Sequence, residues 1–310
     1  MNRLCDNYLH FSVCVCVCVC VCVFCLQVYY SGSEITGVLK VGVAEAKTNY
    51  KNIQISLKGK GVVKWTQNTS DTGVVVWTSD ESYTDQRIEV WNKNQTADAK
   101  FPPGAYEYPF SFKLPDRCPS SFERDKGSIK YYLEAQIAST TPFSDHSVKL
   151  GVRVCNLVNI SREELQISVE KVRQKEIGFW KFKAGDIHFT ATLPRTGYSV
   201  SGSDSIPLRV FTENRSSRGV TMKAAVIQNI NYVVVGNTTS DKKQIVTVSS
   251  EEIKARTNLG WEPKEFTVPQ NTDVTMNESH LIHVSYVLEI WADIPWARNA
   301  SVSIPIVFGN

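Results

Sequence analysis

The chain has 310 residues, with 34 Lys and Arg against 31 Asp and Glu, a formal net charge of +3. So slight a charge, with no long basic run, excludes a protein that grips nucleic acid by electrostatics. The length suits two domains, each able to bury its own core. Short apolar runs of strand formers between Gly, Pro, Asn and Ser clusters, with no amphipathic helix of three turns, make the chain all-β.

Seven of the nine cysteines precede residue 26, and six of them lie between Val13 and Cys25, where Val and Cys alternate. Closely spaced thiolates suit soft metals, and the apolar stretch over 11–26 suits a secretory signal. Against a signal, Asp6 offsets Arg3 and no small-residue cleavage site follows. Against a membrane span, the stretch is shorter than the roughly 20 residues a helix needs. A plainer account lies in the gene. GTG encodes Val and TGT encodes Cys, so a GT repeat translates as Val-Cys-Val-Cys, and Phe24 to Gln27 fits a pyrimidine-rich run ending in CAG. Residues 1–27 are therefore read as translated intron or a mis-joined exon. As peptide, the alternation has the period and β-branching of a strand, so part of 15–28 is expected to pair into the first sandwich, with residues 1–10 loose.

Further along, Val38 to Val43 alternates after a Ser/Gly turn, and Ile53, Ile55 and Leu57 alternate with Gln54, Ser56 and Lys58. Pro102, Pro103, Gly104, Pro115 and Pro119 punctuate the next stretch. Ile129, Tyr131, Leu133, Ala135 and Ile137 then form one face of a half-buried strand. Residues 155–165 are polar and short, a close tether between two halves. Ile167 and Val169 alternate as in a strand rather than a helix.

The second half repeats the first. Tyr30 to Ile35 has its counterpart in Tyr198 to Ile206, each a Ser/Gly turn with an acid before an apolar strand. Phe112-Lys113-Leu114-Pro115 matches Phe266-Thr267-Val268-Pro269. Tyr131-Tyr132-Leu133-Glu134 matches Tyr286-Val287-Leu288-Glu289. Each copy offers about seven short strands, the count of a β-sandwich. In the second copy Ile282, Val284, Tyr286, Leu288 and Ile290 share a face, and Val302, Ile304, Ile306 and Phe308 form the last strand. Tyr131 and Tyr286 hold equivalent places and are expected to be buried, with Tyr132 and Val287 pointing the other way.

Catalytic signals are weak. Five scattered histidines pair with no Cys or carboxylate at a ligand spacing, no Gly-x-Ser-x-Gly elbow occurs, and Gly59-Lys60-Gly61 lacks the rest of a phosphate loop. No enzyme, metal or cofactor is expected. Asn68, Asn94, Asn237 and Asn299 stand in glycosylation sequons, which mark surface loops in a secreted protein and only polar turns in a cytosolic one. Under the cytosolic reading Cys118 and Cys155 are reduced thiols rather than a bridge.

As a pattern of identities the chain resembles the arrestin family. Gly104, Tyr108 to Phe112, Leu114-Pro115, Pro119 to Glu123, Gly127 and Tyr131 fall where that family's N-terminal domain has them. Tyr29 to Gly37 resembles its Tyr-Ser-Pro-Gly-Asp-x-Ile-x-Gly turn, and Leu57 to Trp65 its Leu-x-Gly-x-Gly-x-x-x-Trp strand pair. Asn214 to Val220 with Gln228 and Tyr232 resembles its Asn-x-Ser … Gln … Tyr pattern. Ile304-Pro305-Ile306 with Gly309 resembles its closing strand. The wording is nearest to the α-arrestins, the arrestin-domain-containing branch. The resemblance implies two tandem arrestin-type, immunoglobulin-like β-sandwiches, an N-terminal domain over 28–157 and a C-terminal domain over 158–310. The Val-Cys repeat then stands where the family keeps its first strand.

The function implied is that of a non-enzymatic cytosolic adaptor, peripheral at the plasma membrane and endosomes. It would bind cytoplasmic tails of membrane proteins such as receptors or transporters and link them to endocytic sorting and ubiquitination. The Pro-Pro-x-Tyr motifs that recruit ubiquitin ligases in this branch have no match here, since Pro102-Pro103 continues Gly104-Ala105-Tyr106. The thioredoxin-binding relative uses a cysteine of its second domain, and no cysteine follows Cys155. By analogy Lys58, Lys60 and Lys64 form the contact surface for an acidic or phosphorylated tail. The alternative is a solvated strand face whose lysines discourage edge pairing. Lys171, Arg173, Lys175, Lys181 and Lys183 form a second basic stretch with the same two readings, and Phe179, Trp180 and Phe182 beside them are read as core. Two other functions stay open: a secreted or cell-surface β-sandwich glycoprotein, and a retromer-type arrestin-fold sorting subunit.

Overall fold

A computed structural model describes residues 13–14, 17–23, 28–47, 49–69, 73–95, 100–141, 145–179, 182–202 and 204–310. The expectation for residues 1–10 and the assignment of Trp180 lie outside these residues. Among the described residues no helix is long and apolar enough to cross a membrane. The chain divides into two units. One comprises residues 1–156 with the short segments 233–237 and 278–281; the other comprises 157–232, 238–277 and 282–310.

The first unit is a sandwich of two sheets. One has the order β1 (Val13–Cys14), β2 (Val17–Val23), β4 (Glu34–Val43), β7 (Gly104–Lys113), with β3 (Tyr29–Tyr30) set apart from it. The other runs β10 (His146–Val152), β9 (Gly127–Ser139), β5 (Tyr50–Thr69), β6 (Gly73–Asn92), with β8 (Phe122–Arg124) on β9. Residues 17–23 of the Val-Cys repeat are extended, as its period requires: β2 lies antiparallel to β4, from Val17 opposite Val43 to Val23 opposite Gly37. Pro109 sits in β7, which is an edge strand, where a missing N–H costs least. Ile35, Leu39 and Val41 of β4 bury against Ile53, Ile55 and Leu57 of β5 and Ile129, Tyr131, Leu133, Ala135 and Ile137 of β9 in the core. Burying each such side chain stabilises by about 1.5–3 kcal/mol.

The second unit repeats this plan. One sheet is β12 (Val169–Phe179), β13 (Phe182–Leu193), β15 (Arg209–Asn214), β18 (Thr257–Trp261). The other is β14 (Gly197–Ser199), β20 (Ala300–Gly309), β19 (Ile282–Asp293), β16 (Val220–Val234), β17 (Asn237–Ile253). So β9 and β19, each carrying its Tyr-x-Leu-Glu, occupy the same place in their sheets. The parallel pairs also recur: β11 (Val154–Cys155) beside β3, and β20 beside β14.

The turn-rich motifs have a common physical role. Tyr131 Oη donates to Pro119 O at 2.7 Å, and Ser121 of the same loop pairs with Val154 through its backbone and its Oγ. In the second unit Tyr286 Oη donates to Asp273 O at 2.7 Å, and Thr275 receives Phe308 in the same manner. A buried tyrosine thus ties a loop that in turn pairs with backbone groups near the end of each unit's last strand, at Val154 and at Phe308.

One expectation is corrected. The strands are not uniformly short: β5 and β6 each run 20 residues and β17 runs 17, because their polar outer faces let hairpins extend without needing more core. Within the tether before β12, residues 163–165 close a 3-10 turn around buried Leu165. Cys118 and Cys155 are not joined.

Candidate functional site

Strand β5 alternates Leu57, Gly59, Gly61, Val63 and Trp65 inward with Lys58, Lys60, Val62 and Lys64 outward. The three lysines therefore share one face of the sheet. Their neighbours follow from register: Lys58 stands opposite Tyr132 of β9 and Asp85 of β6, and Lys60 opposite Lys130 and Ser82.

The lysines are not equivalent. Lys58 is half-buried and its Nζ lies 2.7 Å from Glu134 Oε2, while Lys149 of β10 reaches Glu134 Oε1 at 3.3 Å. The Glu134 side chain is only 13% exposed. Lys149 also lies over the Tyr132 ring, 5.1 Å from its centroid, a cation–π contact that fixes its stem. Lys60 pairs with Asp80 at 2.9 Å on an exposed surface, and Lys130 with Glu123. Lys64 is exposed. The site is thus a row of cations partly neutralised by Glu134, Asp80 and Glu123, rather than a bare basic patch.

Charge coupling at Lys58 is reciprocal. The hydrogen bond that Lys58 donates to Glu134 pushes the Lys58 pKa up against the effect of burial. Burial pushes Glu134 up, but the hydrogen bonds it accepts from Lys58 and Lys149, together with their positive charges, outweigh that and hold its carboxyl below the ordinary value. A depressed carboxyl adds stability above its unfolded pKa, and that stability is lost as pH falls through the folded pKa. Raised Lys58 contributes below its own unfolded pKa and stops contributing only at high pH. We expect Glu134→Gln to cost the first unit about 1 kcal/mol at neutral pH, with the difference from wild type vanishing in acid. Denaturant titrations at neutral and acid pH test this; a difference independent of pH would show that charge is not the cause.

Sequence reasoning singled out the lysines but not their counter-charges, because which carboxylate meets Lys58 depends on register with a strand 76 residues away. The outward position of Glu134 in Tyr-Tyr-Leu-Glu was the available signal. Of the second basic stretch, Lys171 and Arg173 are exposed on β12 and Lys175 is half-buried; Lys181 lies outside the described residues.

Comparison with known proteins now gives the family. The family description "Arrestin (or S-antigen), N-terminal domain" matches residues 25–161 and "Arrestin (or S-antigen), C-terminal domain" matches 183–310. Arrestin domain-containing protein 4 of Homo sapiens is 26% identical over 289 residues, 91% of this chain and 68% of that protein. The Mus musculus protein of the same name is 29% identical over 209 residues, 67% of this chain and 49% of its own length. Thioredoxin-interacting protein of Rattus norvegicus is 24% identical over 288 residues, 92% of this chain and 71% of that protein. The chain thus spans between about half and seven-tenths of these relatives. With both domains matched in order, and both folded as all-β sandwiches of one plan, the chain belongs to the arrestin family, in its arrestin-domain-containing or α-arrestin branch.

Proposed function

We propose that this arrestin-type adaptor works by recognition without catalysis, and that the outward face of β5 reads an acidic or phosphorylated cytoplasmic tail of a membrane protein. The observation that supports this is the alignment of Lys58, Lys60 and Lys64 on one sheet face, with Lys60 and Lys64 exposed. An incoming phosphate competes with Asp80 for Lys60 and meets Lys64 directly, while Lys58, anchored by Glu134, supplies a fixed positive charge. Cargo bound there would be delivered to endocytic sorting and ubiquitination at the plasma membrane and endosomes, with a ubiquitin ligase as second partner. Membership of the arrestin family supports the adaptor class; the row of lysines on β5 supports the tail-binding role.

The geometry changes the choice of variant. Lys58→Glu would put two carboxylates together at a largely buried Glu134 and cost stability by like-charge repulsion. Lys60→Glu with Lys64→Glu avoids this. Exposed substitutions usually stay within about 0.5 kcal/mol, so melting should hold while affinity for a multiply phosphorylated tail peptide falls. Unchanged affinity in a folded double variant would remove this face from the reading.

A further inference from the structure

The second unit carries a charged cavity that the reading above does not use. It encloses about 370 Å³ between β12, the β15–β16 turn and the β19–β20 loop, and Lys175, Ile177, Arg218, Trp296 and Arg298 line it, with Glu176 also in the wall. Three cations from three separate segments converge there. Among the described residues none of Lys175, Arg218 and Arg298 stands in an ion pair with a carboxylate.

Two of the cations, Arg218 and Lys175, are held in place. Asn214, 1% exposed, donates through Nδ2 to the carbonyls of Arg218, Ile253 and Lys254, and its Oδ1 accepts from Ser216 N and Oγ. This buried Asn-x-Ser turn fixes the backbone of Arg218. The Arg218 guanidinium then donates to Pro295 O at 2.8 Å. Lys175 Nζ donates to the carbonyls of Arg298 and Asn299. Anchoring to neutral carbonyls positions these groups without cancelling their charge. The crowding registers at Lys175, where burial, then Arg173 and Arg298, push its ammonium pKa down.

At the rim Trp296 is 98% exposed and its backbone sits at φ +60°, a left-handed conformation unusual for a bulky residue. Strained, exposed aromatic groups concentrate where a ligand is gripped. The cations meet in a concavity rather than on a flat surface, and Glu176 in the wall disfavours a uniformly anionic sheet of headgroups. One dianionic group on a side chain, with an aromatic or apolar neighbour against Trp296, satisfies all of these features.

We propose that this cavity is a second recognition site, which takes the phosphate of a singly phosphorylated peptide segment bearing an aromatic residue beside it. It goes beyond the β5 reading, because its residues all belong to the second unit.

The test uses the full chain carrying Lys60→Glu and Lys64→Glu, so the β5 face no longer contributes. A short labelled peptide with one phosphoserine next to a tryptophan is titrated by fluorescence anisotropy. Binding should persist in this background, be lost with the unphosphorylated peptide, and weaken about tenfold or more with Arg298→Glu, the loss of one charge-assisted contact and its reversal. Trp296→Ala should weaken it several-fold. Arg298 uses only its main chain to hold Lys175 and Trp296 is exposed, so both variants should fold; Lys175→Gln is informative only where its melting is unchanged. Absence of binding in the double-lysine background, or indifference to Arg298→Glu, overturns the proposal. So does binding to phosphatidic acid vesicles through Arg298 and Trp296 without binding to the peptide. Failure here leaves the β5 reading standing, since its lysines are already removed from the experiment.

Discussion

Tyr131→Ala should destabilise the first unit by about 3–5 kcal/mol, and Tyr286→Ala the second by a similar amount. Tyr131 is 2% exposed and Tyr286 is 1% exposed, each at the centre of its sheet. Truncation opens a cavity and strands a loop carbonyl, Pro119 O in one unit and Asp273 O in the other. In the second unit Gln228 Nε2, which donates to Tyr286 Oη at 2.8 Å, also loses that acceptor. Each hydroxyl donates to a loop carbonyl, so Tyr131→Phe isolates the lost hydrogen bond, worth about 1–3 kcal/mol when a buried carbonyl is left unpaired. Hydrogen exchange distinguishes the units: Tyr131→Ala should lower protection in β5 and β9, and Tyr286→Ala in β16 and β19. Tyr132 and Val287 are half-buried on the opposite faces and should tolerate Ala with smaller losses. Equal losses at Tyr131 and Tyr132 would contradict the face assignment.

What could be read in the sequence was whatever depends on near neighbours. Period-2 alternation placed the faces of β5, β9, β19 and β20, and the recurrence of Tyr-x-Leu-Glu placed β9 and β19 in equivalent positions. The Val-Cys strand was legible for the same reason: alternation with β-branching pairs with any edge offered, here β4. Properties set by distant segments were not legible. The carboxylate that anchors Lys58 sits on another strand, the length of the β5–β6 hairpin is decided by its polar outer faces, and the cations around Lys175 come from three segments. The Asn-x-Ser pattern could be matched as letters, but its work, fixing the backbone of Arg218, becomes visible only once Ile253 and Lys254 stand beside it.

The Gly59-Lys60-Gly61 stretch is the sharpest case of letters whose meaning is steric, and replacing its first glycine should have the second large effect. Gly59 lies opposite Tyr131 in the β5–β9 ladder, and the ring of that tyrosine crosses over the strand. A Cβ on Gly59 would fall on Tyr131 Cε1, 2.5 Å from Cδ1 and 3.1 Å from Thr84 Cγ2; one on Gly61 would meet the hydroxyl of Tyr83. The glycine is required by the space, since its backbone is ordinary. Because Tyr131 is fixed by Pro119 O, its ring cannot swing aside without breaking that bond. Gly59→Ala should therefore cost about 1–3 kcal/mol or more from overpacking. Its coupling to the tyrosine gives the decisive measurement. In Gly59→Ala combined with Tyr131→Ala the new methyl enters the vacated volume, so the pair should cost less than the two single losses added, by about 0.5–3 kcal/mol. Gly151→Ala in β10 is the control, since nothing lies within 4 Å of a Cβ there and alanine also lowers the entropy of the unfolded chain. Denaturant melts of the four variants carry the test. Strict additivity would mean that Gly59 is needed for something other than the passage of Tyr131.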